Sequence, residues 1–108
     1  LRWSLVDVAT ELEAMRLLTY RGARLIDRDE DAQEAAAMAK KFGNDRALVG
    51  VAACIQAMGA NGLRADYPLA RHLAAAKLLA YTDGTTEMMN EGIGHLLAKR
   101  LAVRADPQ

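Results

Sequence analysis

The chain contains 108 residues, of which 52% are hydrophobic and 5% aromatic, and its 14 basic and 14 acidic side chains give a formal net charge of zero. This length suffices for one domain with a core, and the scarcity of aromatic residues favours packed helices over a sheet. Balanced charge without a basic stripe argues against a nucleic-acid partner, and no apolar run is long enough to span a bilayer. A single cysteine, Cys54, excludes an internal disulfide and is typical of the reducing cytoplasm, where we expect the protein.

The first predicted element is a long amphipathic helix that ends near Ile26. The charged residues 27–31 follow as a solvated loop. Asp31 and Glu34, three residues apart, nearly match a capping box and so place the start of a second helix. Apolar residues of the first helix recur at the spacing of one helical face, which predicts that this face packs inward. This stripe consists of Leu1, Leu5, Val8, Leu12 and Met15.

The second predicted helix continues through Ile55. Residues 43–44 (Gly-Asn) and Gly50 are its weak points, because glycine lowers helix propensity. Its end is set by residues 59–62, where glycine and asparagine readily adopt a positive φ.

Two further helices follow. Pro68 suits the first position of the third helix, where its missing N–H costs nothing. A break at residues 81–85 precedes the fourth helix, which opens at Thr85 or Thr86 and continues to Leu101. Short links between two long and two shorter helices predict an all-α, antiparallel up-and-down bundle.

Two connections, residues 56–62 and 80–87, contain residues with chemistry of interest. Each places small or turn-forming residues against a helix end, where unpaired backbone N–H groups favour an anion such as a pyrophosphate. The same residue types are also those that cap helices without any ligand. From the residues alone, both interpretations stay open.

Several different short motifs follow one another along the chain, each at a definite distance from the next. From the N-terminus they are Leu5-Val-Asp-Val-Ala9, Arg16, Tyr20-Arg21, Ala39-Lys40 with Phe42, Gln56-x-x-Gly59-x-x-Gly62, Tyr67-Pro68, Arg71, Ala76-Lys77 and Asp83-Gly84-Thr85-x-Glu87. This pattern resembles, without gaps, that of the acyl-CoA dehydrogenases, which carry Q-x-x-G-G-x-G, Y-P, A-K and E-G-T at these places. The resemblance covers nearly the whole chain.

The resemblance implies that residues 1–108 are the C-terminal helical bundle domain of a larger flavoenzyme, here without its first helix. The implied cofactor is FAD, bound between domains and subunits of a homo- or hetero-oligomer, a dimer or a tetramer. The implied substrate is an acyl-CoA thioester, and the implied electron acceptor is an electron-transferring flavoprotein. No metal site is expected.

The resemblance also implies roles for individual residues. Gln56, Gly59 and Ala60 would approach the FAD of a neighbouring subunit, whereas Thr85 and Glu87 would contact the flavin nucleotide of their own subunit. Ala60 replaces the second glycine of the family's pair, and a methyl group there could forbid a positive φ.

Asp83 stands where the family has the glutamate that removes the substrate α-proton. Aspartate is one methylene shorter, so its carboxylate reaches about 1.5 Å less far, and an error of about 1 Å can slow a reaction on the order of a hundredfold. Three interpretations follow. Asp83 is still the base; or the protein resembles the nitroalkane oxidases, which use aspartate, or carries out another oxidation that does not involve acyl-CoA. In the third interpretation Asp83 is only a helix N-cap, and either another helix supplies the base or the chain is a degenerate partner subunit of a heteromeric enzyme.

A plain helical interaction domain is the remaining hypothesis. Such a domain should bury four complementary apolar stripes. A fragment of a larger enzyme should instead leave apolar surface uncovered where a helix is missing.

Overall fold

The structure is a computed structural model that describes residues 1–82 and 84–105. Its described residues form four α-helices and one short 3-10 turn. The predicted all-α bundle is therefore confirmed. The elements are α1 (Arg2–Asp27), α2 (Gln33–Met58), the 3-10 turn (Gly59–Leu63), α3 (Leu69–Leu79) and α4 (Thr86–Ala105).

The start of α2 differs in detail from the predicted capping box. Ala32 is the N-cap residue, and the Asp31 carboxylate accepts a hydrogen bond from the Gln33 N–H at 3.0 Å. Glu34 does not reach back to the cap, because its carboxylate pairs with Arg100 of α4. Pro68 likewise lies one position before α3, as its N-cap.

Helices α1 and α2 pack antiparallel along their length. A Cβ placed on Gly22 would lie 3.8 Å from the Ala36 backbone nitrogen, so the two helices pass close together there. Near the other end, a Cβ on Gly50 would lie 3.6 Å from Val8. Gly50 is therefore a place where α1 fits against α2, and α2 continues through it unbroken.

Helices α3 and α4 lie on α2 one after the other. The Asn44 side-chain amide donates to the Leu79 carbonyl at 3.3 Å, which fixes the end of α3 near the middle of α2. Arg100 of α4 then meets Glu34 in the first turn of α2. Both helices thus run towards the start of α2, and the molecule extends 61 × 28 × 26 Å.

The core of the described residues is small. Its buried apolar side chains are Ala35, Ala76 and Ile93. Ile93 joins Leu18 and Phe42 around a cavity of about 300 Å³ where α1, α2 and α4 converge. Within the described residues, α1, α3 and α4 each approach α2 but not one another within 8 Å between Cα atoms, so most faces of these helices stay open.

The apolar stripe predicted to face inward on α1 is only partly buried. Val8 and Met15 are half-buried, as predicted, but the prediction is wrong for Leu1, Leu5 and Leu12, which are exposed. The physical reason is that α1 contacts α2 alone, and one neighbour covers one side of a helix. Trp3 is 85% exposed on the same helix. None of the helices in the described residues has the length and apolar character needed to cross a membrane.

Two glycines provide a test of this packing. A Cβ on Gly62 would lie 2.9 Å from both the Cα and the carbonyl oxygen of Ile55, whereas Gly43, in the interior of α2, has nothing within 4 Å. We expect Gly62→Ala to lower the free energy of unfolding by about 1–3 kcal/mol, because backbone atoms must move apart. Gly43→Ala should raise it by about 0.5–1 kcal/mol through helix propensity. Urea denaturation of both variants measures the difference, and equal midpoints would contradict the packing of the 3-10 turn on α2.

Candidate functional site

The residues predicted to bind a cofactor lie in two places, one at the C-terminal end of α2 and the other where the chain enters α4. We call residues 56–62 the α2 C-terminal segment and residues 80–85 the α3–α4 loop. The loop contacts Lys40, which lies 16 residues before Gln56 on the same helix. At the rise of an α-helix this separation is about 24 Å. Gln56, Gly59 and Ala60 are therefore not brought together with Thr85 and Glu87 within one chain.

The α2 C-terminal segment is built around two glycines with different roles. Gly59 has φ +66°, and its N–H donates to the Gln56 carbonyl, which ends α2. Gly62 allows the 3-10 turn to fold back against Ile55. Both glycines of the motif therefore have a structural reason for being there.

The side of this segment that faces solvent is small and polar. Gln56, Gly59 and Ala60 are exposed. Ala60 does not have a positive φ, since Asp29 is the one non-glycine residue with positive φ among the residues described. The methyl group of Ala60 therefore causes no backbone strain. A ligand could therefore come close to the backbone of this segment, with only the methyl group of Ala60 in the way.

The α3–α4 loop is held by side chains of α2. The Lys40 ammonium donates hydrogen bonds to the carbonyl oxygens of Thr82 and Gly84. The Thr82 hydroxyl donates to the Leu79 carbonyl at 3.3 Å. Gly84 has φ +108°, a conformation that favours glycine.

Thr85 ends the loop and begins α4. Its hydroxyl oxygen accepts a hydrogen bond from the Met88 N–H at 3.2 Å, the arrangement of a helix N-cap. The predicted opening of α4 at Thr85 or Thr86 is thus confirmed. Glu87 follows in the first turn and is exposed. Backbone N–H groups of this turn have no partner inside the helix, so an anion is favoured nearby.

Asp83, the candidate base, lies outside the described residues. Both residues beside it in the chain are described, and Lys40 bonds to the carbonyl group of each. The same lysine lines a mostly apolar cavity of about 420 Å³ between α2 and α4, together with Met88 and Met89. The neighbourhood of the loop therefore combines an apolar cavity with one cationic side chain.

Sequence reasoning gave Lys40 no functional role beyond its place in a motif. The available signal was a lysine that directly follows the small apolar run Ala35–Ala39 on a helix otherwise expected to pack. That position predicts a partner for the ammonium group, but the partner lies 42–44 residues away in the chain and could not be named. No group of acidic, histidine or cysteine side chains in the described ranges could hold a metal ion.

Comparison with known proteins identifies the family. The sequence profile of the acyl-CoA dehydrogenase C-terminal domain matches residues 1–98. The chain belongs to the acyl-CoA dehydrogenase family, and the resemblance inferred from the motifs is confirmed.

Curated relatives are similar over most of this chain. The short/branched chain specific acyl-CoA dehydrogenase of Rattus norvegicus mitochondria is 36% identical over 88 residues, which are 82% of this chain and 20% of the relative. The cyclohexane-1-carbonyl-CoA dehydrogenase of Geobacter metallireducens is 34% identical over 98 residues, which are 91% of this chain and 26% of the relative. The chain therefore spans about a fifth to a quarter of these relatives' length.

Solved structures share the fold. Butyryl-CoA dehydrogenase from Megasphaera elsdenii superposes with a TM-score of 0.86 at 30% identity, over 90% of this chain and 25% of that one. PigA with FAD and proline gives 0.84 at 28% identity with the same coverage. A structure from work on the electron transferring flavoprotein of Acidaminococcus fermentans gives 0.85 at 34% identity, over 89% of this chain and 25% of that one.

The N-cap at Thr85 can be tested locally. Thr85→Ala removes the acceptor for the Met88 N–H, so opening of the first turn of α4 should become easier by about 1 kcal/mol, or about fivefold in exchange rate. Amide hydrogen exchange of residues 86–90 measures this change. Thr85→Ser keeps the hydroxyl and should behave like the wild type, and Thr86→Ala is the matched control. Equal exchange in Thr85→Ala and Thr86→Ala would contradict the cap.

Proposed function

We propose that residues 1–108 form the C-terminal helical domain of a larger FAD-dependent acyl-CoA dehydrogenase. The observation that carries this proposal is the continuous family match through residues 1–98, which includes both the α2 C-terminal segment and the α3–α4 loop. Relatives that act on several acyl-CoA thioesters support the same substrate class.

The open surface of α1 supports a place within a larger protein. Leu1, Leu5 and Val6 are exposed and, with neighbouring residues, line an open apolar depression of about 620 Å³. Exposed contiguous apolar surface of this kind is typical of an interface. A self-contained helical interaction domain would bury more of this surface within itself.

The residues present are suited to a dinucleotide. The first turn of α4 offers backbone N–H groups beside Thr85 and Glu87, and Thr85 keeps that turn in place as its N-cap. Gln56, Gly59 and Ala60 offer an exposed amide side chain and little steric bulk. We assign Thr85 and Glu87 to the flavin nucleotide of their own subunit, and Gln56, Gly59 and Ala60 to that of a neighbouring subunit.

We assign Asp83 as the base that removes the α-proton of the thioester substrate. A bound flavin would accept the hydride from the β-carbon and so supply the redox chemistry. The task left to this chain is to hold a carboxylate beside the α-carbon and to keep the loop in one geometry. The bonds from Lys40 and the N-cap at Thr85 support that task on both sides of residue 83.

Aspartate in place of glutamate favours a second candidate, an oxidation of another substrate class by a nitroalkane-oxidase-like flavoenzyme. The solved structure of PigA with FAD and proline supports the view that proteins of this fold bind small molecules other than acyl-CoA thioesters. A catalytically degenerate partner subunit of a heteromer is the third candidate, in which Asp83 does no chemistry.

The partners of the whole protein are also proposed. A flavoprotein that transfers electrons is the natural acceptor for a reduced flavin of this family, in agreement with the similarity to the structure from work on such a protein. Assembly as a homo- or hetero-dimer or tetramer follows from the assignment of Gln56, Gly59 and Ala60 to a second subunit. A cytoplasmic location stays a prediction, since the relatives include mitochondrial and bacterial enzymes.

Flavin bleaching in the full-length protein tests the role of Asp83. Acyl-CoA thioesters should bleach the wild type, and Asp83→Asn should slow bleaching by about a hundredfold to ten-thousandfold, the contribution expected of a general base. Asp29→Asn is the matched control, because it removes an exposed charge at a positive φ that asparagine tolerates. It should bleach at the wild-type rate.

Other outcomes separate the three candidates. Bleaching by nitroalkanes but not by acyl-CoA would favour the oxidase. FAD binding with no bleaching by either would favour the degenerate subunit. Rapid bleaching by acyl-CoA in Asp83→Asn would show that the base lies elsewhere.

A further inference from the structure

A groove with cationic side chains lies between the ends of α1 and α4. It is an open cavity of about 550 Å³, and Arg21, Lys99 and Arg100 are among the residues that line it. We call it the basic groove. Arg100 pairs with Glu34, but in the part of the chain that the structure describes, neither Arg21 nor Lys99 forms an ion pair. The basic groove therefore offers positive charge to an acidic occupant.

Apolar side chains accompany these charges. Leu25, Leu96 and Val103 also line the basic groove. Val103 is 68% exposed, and Ile26, which follows Leu25 in α1, is 64% exposed. Apolar contact area surrounded by polar and charged groups is the usual composition of a protein interface. The groove is thus suited to a protein segment and not to a small ion alone.

The chain itself carries a segment of the matching charge beside this groove. Residues 27–31, which we call the acidic turn, have the sequence Asp-Arg-Asp-Glu-Asp and are exposed. Asp31 also lines the basic groove, so the two surfaces are contiguous. Asp27, Asp29 and Glu30 form no ion pair with any described residue, and their charges stay open to a partner.

Backbone hydrogen bonds hold the acidic turn in one shape. The Glu30 N–H donates to the Leu25 carbonyl at 2.9 Å, and the Asp29 N–H donates to the Ile26 carbonyl at 3.0 Å. Together these bonds form a Schellman motif, which closes the C-terminal end of α1. A segment that is already ordered loses little conformational freedom on binding, which favours association.

Both surfaces lie at one end of an elongated molecule. Helix α1 has 26 residues and is therefore about 39 Å long. The 61 Å dimension must follow the helices, and the other two dimensions, 28 and 26 Å, define the cross-section. That cross-section is comparable with the roughly 800 Å² that each partner buries in a standard interface. The α2 C-terminal segment lies at the opposite end of α2.

We propose that this end of the molecule binds a second copy of the same chain about a twofold axis. The acidic turn of each copy contacts the basic groove of the other. A twofold contact requires a surface that is complementary to itself. The acidic turn and the basic groove meet this requirement, because they lie side by side and each supplies the charge that the other lacks.

This contact adds a second interface to the one assigned to Gln56, Gly59 and Ala60. One neighbour at each end of α2 gives a tetramer built as a dimer of dimers. The number of subunits rests on the proposed function, which supplies the neighbour at the C-terminal end of α2. The twofold contact at the acidic turn does not depend on it.

Charge reversal in the full-length protein tests the contact. Asp27→Lys with Glu30→Lys reverses the acidic turn and leaves the backbone bonds of the Schellman motif in place. Arg21→Glu with Lys99→Glu reverses the basic groove. If either double variant fails to fold, Glu30→Lys or Lys99→Glu alone replaces it. The readouts are the mass by sedimentation equilibrium and the FAD content.

Each reversed variant alone should lose the contact, because like charges then face each other. We expect half the wild-type mass, with the dissociation constant of the contact raised about tenfold or more. FAD content should not change, because the α2 C-terminal segment lies at the other end of the helix. Raising the salt concentration from about 0.05 M to about 0.5 M should also weaken the wild-type contact.

A matched control makes the same charge change elsewhere. Glu13→Lys with Glu91→Lys alters two exposed helix positions, which lie about 21 Å and 12 Å along their helices from Asp27 and Lys99. This variant should keep the wild-type mass.

Mixing the two reversed variants separates a contact between copies from one within a chain. In the mixed pair, one chain is basic on both surfaces and the other is acidic on both. Both halves of the twofold contact are then complementary again, so the mixture should regain the wild-type mass. A contact within one chain could not be restored by mixing.

Several results would overturn the proposal. They are a monomeric wild type, wild-type mass in both reversed variants, equal loss of mass in the control, and a loss of mass that mixing does not restore. Failure of the proposed function looks different. Full-length protein that binds no FAD, or that no acyl-CoA bleaches, would refute that function while the twofold contact and its response to mixing remain.

Discussion

Helix α2 is the element to which all the other described helices attach. Its contacts with α1, α3 and α4 hold these helices in place, while the three do not approach one another within 8 Å between Cα atoms in the described residues. Close approach depends on small residues where helices meet. Gly22 of α1 lies close to the backbone of Ala36, and the side chain of Val8 packs against Gly50 of α2. A change in the course of α2 would therefore move every other helix.

The positions of the two candidate cofactor segments follow from this arrangement. The α2 C-terminal segment ends the helix, and the α3–α4 loop is attached about 24 Å back along it, at Lys40. Because α2 is continuous between them, the distance between the two segments is set by the helix itself. This separation agrees with the proposal that one chain contributes to two cofactors, one of its own subunit and one of a neighbour.

Local features of the sequence predicted much of the fold. Helical periodicity and the positions of Gly59 and Thr85 gave the helices and their ends, because capping is a property of a few adjacent residues. The motif order predicted the family, which the profile match confirms. Of the glycine and asparagine residues at positions 59–62, for which a positive φ was expected, Gly59 adopts one, whereas Asn61 and Gly62 do not.

Features that depend on distant parts of the chain could not be predicted. Leu1, Leu5 and Leu12 have the spacing of a buried face, but what covers that face is not encoded in α1 itself. Glu34 was expected to cap its own helix and instead pairs with Arg100, 66 residues away. The contacts of Lys40 with the loop are of the same kind, and they depend on α3 and α4 both running towards the start of α2. The residue pattern of a single helix does not show which side chains of other helices will pair with it.

We propose that the α2 C-terminal segment and the α3–α4 loop both face a flavin nucleotide in the assembled protein, and the proposed function depends on this placement. An experimental structure of the full-length protein with FAD bound tests it most directly, through the distances from these segments to the cofactor. We expect Thr85 and Glu87 within hydrogen-bonding distance of the nucleotide in their own subunit, and Gln56 within that distance of one bound by a neighbour. Both segments on an outer surface, remote from any cofactor, would contradict the claim.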